Sequence, residues 1–263
     1  MTSRTEKVYV LFGSQTGNSE DYAKTFSKDI ATHLSPQAIQ TLTGTKDEIT
    51  VEPSCMQLDD FLEIQKADWT RLVVIFVSSY GVGQAPLGAY RYRDLCDAWK
   101  ENNATGVLTG VKYALCGLGD SSYTTFFQNP TTIDEAMTQV GAKRVGPIGK
   151  ADASKMGNES QANVIARWKE DIWKPLAQSL VEEPLEEETL KEMQDKTVEL
   201  CCKINPEFEP PAGKGQSASG GSGGGLSMMV PIVMVVLAIV AFFMTQQNAN
   251  SSGNGGEEAT AEV

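Results

Sequence analysis

The chain has 263 residues, 41% of them hydrophobic, which allows one domain of moderate size with a sizeable core plus extensions. A formal net charge of −12 argues against nucleic acid as a partner; an acidic face either aids solubility or suits a partner with a basic patch. Five cysteines without a CxxC or a His–Cys cluster outline no disulfide framework or zinc site and fit a reducing compartment. A single histidine, His33, leaves any redox chemistry to a bound cofactor.

The first residues, MTSRTEK, have no apolar signal-peptide core. Strand patterns follow at 7–13, 48–54, 71–79, 111–117 and 143–149. Helical patterns lie near 18–34, 88–101, 131–140 and 158–180. The runs VVIFV and YALC are apolar throughout, as expected of strands covered on both faces. This alternation predicts an α/β fold, a doubly wound five-stranded parallel sheet, over residues 5–180.

Residues 185–204 read as an amphipathic helix with an acidic start and an apolar stripe of Leu190, Met193, Leu200 and Ile204. Residues 205–225 are rich in Pro, Gly and Ser, a flexible linker reaching about 25 Å. Residues 226–244 carry no charge, and as a helix of about 28 Å they match a bilayer core. The short acidic tail, 245–263, has no Lys or Arg, whereas Lys203 and Lys214 precede the apolar segment. The positive-inside bias therefore predicts a single-pass, tail-anchored membrane protein with its large domain in the cytosol. A tail without basic residues points to the endoplasmic reticulum over the mitochondrial outer membrane.

In a doubly wound sheet, ligands sit beyond the carboxyl ends of the strands, so the loops after the first, third and fourth strands should carry function. The first loop is Gly13, Ser14, Gln15, Thr16, Gly17, Asn18 and Ser19, running straight into a helix near Glu20. It lacks the lysine of a P-loop and is no GxGxxG fingerprint; its hydroxyls and amides fit one phosphate without a metal, or else a plain capped turn. The second loop holds Ser78, Ser79, Tyr80, Gly81 and Gly83, and the third Gly117, Leu118, Gly119, Asp120 and Tyr123, followed by Phe126 and Phe127. Each tyrosine alone is more often simple packing. Two of them beside a phosphate cradle suit a flat ring.

Together GSQTGNSE, SSYGVGQAP and GLGDSSYTTF resemble the FMN domain of the diflavin reductases and, more broadly, the flavodoxin family, over roughly residues 7–178 including Trp168 and Trp173. The resemblance implies a flavodoxin-like sheet of order 2-1-3-4-5 and FMN as cofactor. It places Ser14, Gln15, Thr16, Gly17 and Asn18 at the phosphate and Tyr80 and Tyr123 on either side of the ring. Gly81, Gly119 and Asp120 would line the ring, with Asp152 in an acidic loop near it. Ser78, Ser79, Gly83, Gly117, Leu118 and Phe127 complete the implied set. Val82 and Gln84 depart from the family's usual acidic residues, which bears on the docking loop and the potential.

The function expected from these readings is electron carriage, with no catalytic side chain and no metal. An NAD(P)H-dependent flavoprotein reductase would be the donor and a membrane-bound haem protein or desaturase the acceptor, with membrane lipid as a further contact. The diflavin relatives add an FAD- and NADPH-binding portion that nothing after residue 180 could form. Two alternatives stand beside this one: a membrane-bound NAD(P)H:quinone reductase, and a flavin-free scaffold motivated by Val82 and Gln84.

Overall fold

The computed structural model describes residues 2–62 and 71–204. The predicted linker, membrane helix and tail lie outside the described residues, among which no helix is long and apolar enough to cross a membrane.

Strands β1 (Ser3–Gly13), β2 (Glu48–Gln57), β3 (Leu72–Ser78), β4 (Lys112–Gly119) and β5 (Lys143–Arg144) form a sheet of order β2-β1-β3-β4-β5. All pairings are parallel, with Tyr9 opposite Val73 and Val74 opposite Ala114. The order agrees with the expectation, but the fifth position is not one continuous strand over 143–149. β5 pairs only with Lys112 and Tyr113, and β6 (Gly149–Asp152) returns to pair with Cys116 to Gly119. The cause lies in residues 145–148. Gly146 takes a left-handed φ of 67°, and Pro147 has no N–H to give a ladder. The Pro147 carbonyl instead accepts from the Trp168 indole at 2.8 Å.

Side chains alternate across the central strands, which divides the core into two layers. Tyr9, Leu11, Val73, Ile75, Tyr113 and Leu115 face one way, packing with α4 (Tyr90–Glu101) and α5 (Gln128–Gln139) through Leu95, Trp99 and Ile133. Val8, Val10, Phe12, Val74, Phe76 and Cys116 face the other, under α1 (Asn18–His33) and α6 (Gln161–Leu180). There Phe26 stacks on Trp173 at 4.4 Å, and exposed His33 stacks on the same indole at 4.6 Å.

Two helices were not read from the pattern: α2 (Pro36–Thr43) and the single turn α3 (Leu58–Phe61). α2 has ordinary boundary chemistry: the Ser35 hydroxyl accepts from Ala38 N at 3.3 Å, Pro36 opens the helix, and Gly44 closes it at φ 76°. The expected amphipathic helix is α7 (Glu187–Ile204), whose Met193 is buried and whose Leu190, Val198 and Leu200 pack on the α4 side of the core.

At the amino end of the sheet two arginines close the end of α6. Arg71, 8% exposed, donates to the carbonyls of Glu182 and Glu183 and to the Glu6 carboxylate. Arg4 donates to the Leu180 and Glu182 carbonyls at 2.6 and 2.9 Å. The terminal Leu180 carbonyl of α6 and two carbonyls of the segment just after it thus meet full positive charges.

Candidate cofactor site

A cleft of about 400 Å³ opens at the carboxyl ends of β1, β3 and β4, within the ordinary range for small-molecule sites. Its first wall is the connection from β1 to α1. β1 must end on glycine, because a Cβ on Gly13 would stand 2.5 Å from the Ala89 Cβ. Ser14 N donates to Leu87 O at 3.0 Å and Gln15 Oε1 accepts from Leu87 N at 3.4 Å, so this loop is fastened to the next one. Gly17, at φ 92°, is the N-cap of α1 and supplies no side-chain cap. The opening amides of α1 therefore get no partner from the cap residue, and the helix dipole adds positive potential there. Ser19, 1% exposed, lines the cleft with a hydroxyl that has no hydrogen-bond partner.

The second wall follows β3. Tyr80 and Gln84 exchange backbone hydrogen bonds at 3.0 and 2.8 Å, pinching residues 80–84 into a tight loop with Gly81 at φ 53° and Gly83 at φ 88°. Fully buried Asn129 holds the base of this loop: its N–H donates to Ser79 Oγ at 3.0 Å, its amide to Ser78 O at 2.9 Å, and its Oδ1 accepts from Arg93 at 3.0 Å. The third wall follows β4. Asp120 Oδ1 accepts from Ser122 N at 2.8 Å, and Thr125 Oγ1 donates to Gly81 O at 3.2 Å, joining the second and third loops. Tyr80 and Tyr123 both line the cleft and are 47% and 63% exposed. Among the lining residues Asp120 is the one formal charge.

Residues 10–165 match the family described as Flavodoxin. The chain belongs to the flavodoxin family. FMN is the cofactor, and the donor set fits it. A phosphate needs N–H and O–H donors with no carboxylate among them, which the uncapped α1 start and the unpartnered Ser19 hydroxyl provide. A flat ring needs apolar walls, which two exposed phenols and Phe126 provide.

Within this flavodoxin family the chain resembles the FMN domain of NADPH–cytochrome P450 reductase. It is 29% identical over 181 residues to that enzyme from Saccharomyces cerevisiae, covering 68% of this chain and 23% of the relative. It is 30% identical to the mitochondrial pyruvate dehydrogenase [NADP(+)] of Euglena gracilis, covering 68% of this chain and 9% of the relative. A solved Streptococcus pneumoniae flavodoxin is similar over 64% of this chain and 97% of its own, with 19% identity and a TM-score of 0.41. The chain spans about a quarter or less of the length of the two enzymes.

The flavodoxin cleft gathers Ser14, Gln15, Thr16, Asn18, Ser78, Ser79, Tyr80, Gly81, Leu118, Gly119, Asp120 and Tyr123, all singled out in the sequence. Five others of the expected set do not line it. Gly17 turns the chain into α1. Gly83 faces a neighbouring cleft, where a Cβ would meet Gln128 Oε1 at 2.0 Å. Gly117 lies beneath the floor, where a Cβ would stand 2.3 Å from the ring of buried Phe127. Phe127 caps α5 at φ 66°, spending its ring on that contact. Asp152 is buried under the third loop, accepting from Ser121 N at 2.9 Å and from Ser154 N and Oγ at 3.0 and 2.9 Å. Burial alone would raise its carboxyl, yet these bonds outweigh that and hold it at about 2.

Five lining residues are not assigned to the cofactor from the sequence: Ser19 and Phe126, which it places in the first and third loops without a role, and Thr125, Ala153 and Gln161. Ser19 had a signal, since it follows Asn18 directly in the first turn of α1. Ala153 and Gln161 had none; they arrive from the β6–α6 connection only through folding.

Proposed function

We propose that this chain is a membrane-tethered FMN electron carrier, accepting electrons from an NAD(P)H-dependent flavoprotein and delivering them to a membrane-bound haem protein or desaturase. The observation that carries this reading is the cleft's two-part chemistry. Uncapped helix amides and a stranded Ser19 hydroxyl stand at one end, and two exposed tyrosines from separate loops border the rest. When bound, FMN supplies the capacity to take up and release electrons. The chain's own residues bind and orient. Ser14, Thr16, Asn18 and Ser19 hold the phosphate, Tyr80 and Tyr123 clasp the ring, and Asn129 with Asp152 stiffens the loops that carry them. In this reading the protein acts on the flavin's potential and on access to it rather than through a catalytic side chain.

The uncharged segment 226–244 supports a single-pass anchor in the endoplasmic reticulum membrane, and the 205–225 linker a cytosolic tether. Confinement to the bilayer plane raises the effective concentration of the domain near an anchored acceptor.

The test is made on the full chain in detergent. Its visible spectrum should show bound flavin. In anaerobic stopped-flow mixing, NADPH alone should leave that spectrum unchanged, while NADPH with a catalytic amount of a flavoprotein reductase should bleach it. Fast bleaching by NADPH alone would convert the reading to a quinone-reductase type enzyme. A colourless protein that ignores added FMN would leave a scaffold. Protease protection of an N-terminally tagged chain on microsomes checks the orientation.

A further inference from the structure

The two rings that border the cleft are not anchored by their own side chains. Among the described residues, the Tyr80 and Tyr123 side chains take no hydrogen-bond or ring-contact partner, and both are largely exposed. The backbones that carry them therefore set the spacing of the two aromatic faces. Each backbone is stiff by itself. Tyr80 sits in the turn closed by its exchange with Gln84, and its carbonyl also accepts from Gly83 N at 3.0 Å. Tyr123 sits in consecutive turns: its N–H donates to Asp120 O at 3.2 Å, and its carbonyl accepts from Phe126 N at 3.1 Å. Each tyrosine moves with its own turn, so the gap between them depends on what joins the turns.

Two ties reach the Tyr80 turn from the far side, at different depths. The lower is fully buried Asn129 of α5, bonded to Ser78 O and Ser79 Oγ. The upper is Thr125, whose hydroxyl donates to Gly81 O at 3.2 Å. Gly81 follows Tyr80 directly and Thr125 is two residues past Tyr123, so the upper tie links the two aromatic positions themselves. The ties also differ in permanence. Breaking the Asn129 bonds strands a buried amide, whereas Thr125 is only partly buried and water can take its place at Gly81 O at little cost. A flat ring between two phenol faces leaves most easily when those faces part, and the upper tie is the one built to yield.

The inference rests on the proposed clasping of the FMN ring by Tyr80 and Tyr123. We propose that Thr125 is the positioning residue of this clasp: acting through Gly81, its hydroxyl holds the two phenols at the spacing of one ring and sets how fast the flavin leaves. Thr125 lines the cleft, but its single proton is spent on Gly81 O. It therefore acts on the flavin through the Tyr80 turn and not as a donor to it.

The test uses the full-length chain in detergent, loaded with FMN or with riboflavin and diluted rapidly, with the fluorescence of the freed flavin giving the release rate. Thr125→Val keeps the side-chain shape and removes the hydroxyl. It should speed release about fivefold, the scale of one lost hydrogen bond, by the same factor for both flavins, because the phosphate is held elsewhere. Thr125→Ser, which keeps the hydroxyl, should release at the wild-type rate, and the flavin-free unfolding midpoint of both variants should stay at the wild-type value. In a Tyr80→Ala background, which itself releases faster, adding Thr125→Val should change nothing further. The same fivefold effect in both backgrounds would mean that Thr125 touches the flavin directly, and would overturn the inference. So would unchanged release from Thr125→Val, a serine variant as fast as the valine one, or faster release of FMN alone. A Tyr80→Ala chain that releases both flavins at the wild-type rate removes the clasp itself, a failure of the functional reading distinct from a failure of Thr125.

Discussion

The two ends of the sheet handle polar groups in opposite ways. At the amino end, Arg4 and Arg71 take up the carbonyls that close α6, Glu6 receives both guanidinium groups, and Lys112 pairs with Glu182. At the carboxyl end, the α1 start has no side-chain cap, the Ser19 hydroxyl is buried without a partner, and two tyrosines stand open to solvent. Saturated bonding holds the fold together, while unmet bonding capacity is what a ligand can use. The difference separates residues that act on stability from residues that act on binding.

The largest effect should come from the saturated end. Arg71→Ala takes the donor from the Glu183 carbonyl and leaves the Glu6 carboxylate and the Glu182 carbonyl to Arg4 alone in a nearly buried setting, for an expected loss of about 3 kcal/mol in urea denaturation. FMN content per folded molecule should not change. At the open end the signs reverse. Ser19→Ala removes a hydroxyl that nothing satisfies, so FMN-free stability should hold or rise slightly. FMN binding should weaken by about 2 kcal/mol, roughly thirtyfold, through a lost hydrogen bond to a charged phosphate. Riboflavin, which has no phosphate, should bind the variant and the wild type alike. Equal losses for both ligands would mean that Ser19 serves the ring or the fold instead.

A smaller effect is expected at Tyr123, which is 63% exposed and holds nothing in the core through its ring. Tyr123→Ala should leave the unfolding midpoint in place and lower the affinity for FMN and riboflavin together, each by about tenfold, as one aromatic face is lost. Flavin fluorescence titration reads both. A variant that discriminates between the two ligands would break the assignment of opposite cleft ends to phosphate and ring.

What the sequence made legible divides along similar lines. The strand positions and the contiguous loop segments could be read because their chemistry is local: Ser14 to Asn18 are neighbours, and Tyr80 and Tyr123 each follow an apolar strand directly, whereas the strand order came only with the family resemblance. The Arg71 closure could not, since the Glu182 carbonyl it reaches is 111 residues away. Asn129 escaped for the same reason, fixing Ser79 from 50 residues off. Other misses had a local signal. The Gly146-Pro147 pair announces a break in the fifth strand, and Ser35-Pro36 with Gly44 brackets α2. Phe127 gave no such notice, because an aromatic residue at positive φ is dictated by the ring's seat over Gly117.

Asp152 tests whether the division is strict, for it is a saturated group at the open end. Its carboxylate accepts from Ser121 and Ser154, and these bonds, acting against burial, lower its pKa from 3.8 to about 2. A carboxyl whose folded value is depressed adds stability above its unfolded value, and loses it as pH falls from about 4 to about 2. Asp152→Asn should therefore unfold more easily than wild type at pH 7, by a margin well below that of Arg71→Ala, and the gap should close as the pH drops through that window. Thermal midpoints of the two proteins at pH 7, 4 and 2.5 measure it. The same variant loosens the seat of Ser121, two residues before Tyr123, so FMN affinity at pH 7 should fall along with stability. A gap that stays constant with pH would show that the Asp152 carboxylate is not what those donors hold, and an unaltered FMN affinity would place the third loop under the control of Asp120 and Thr125 alone.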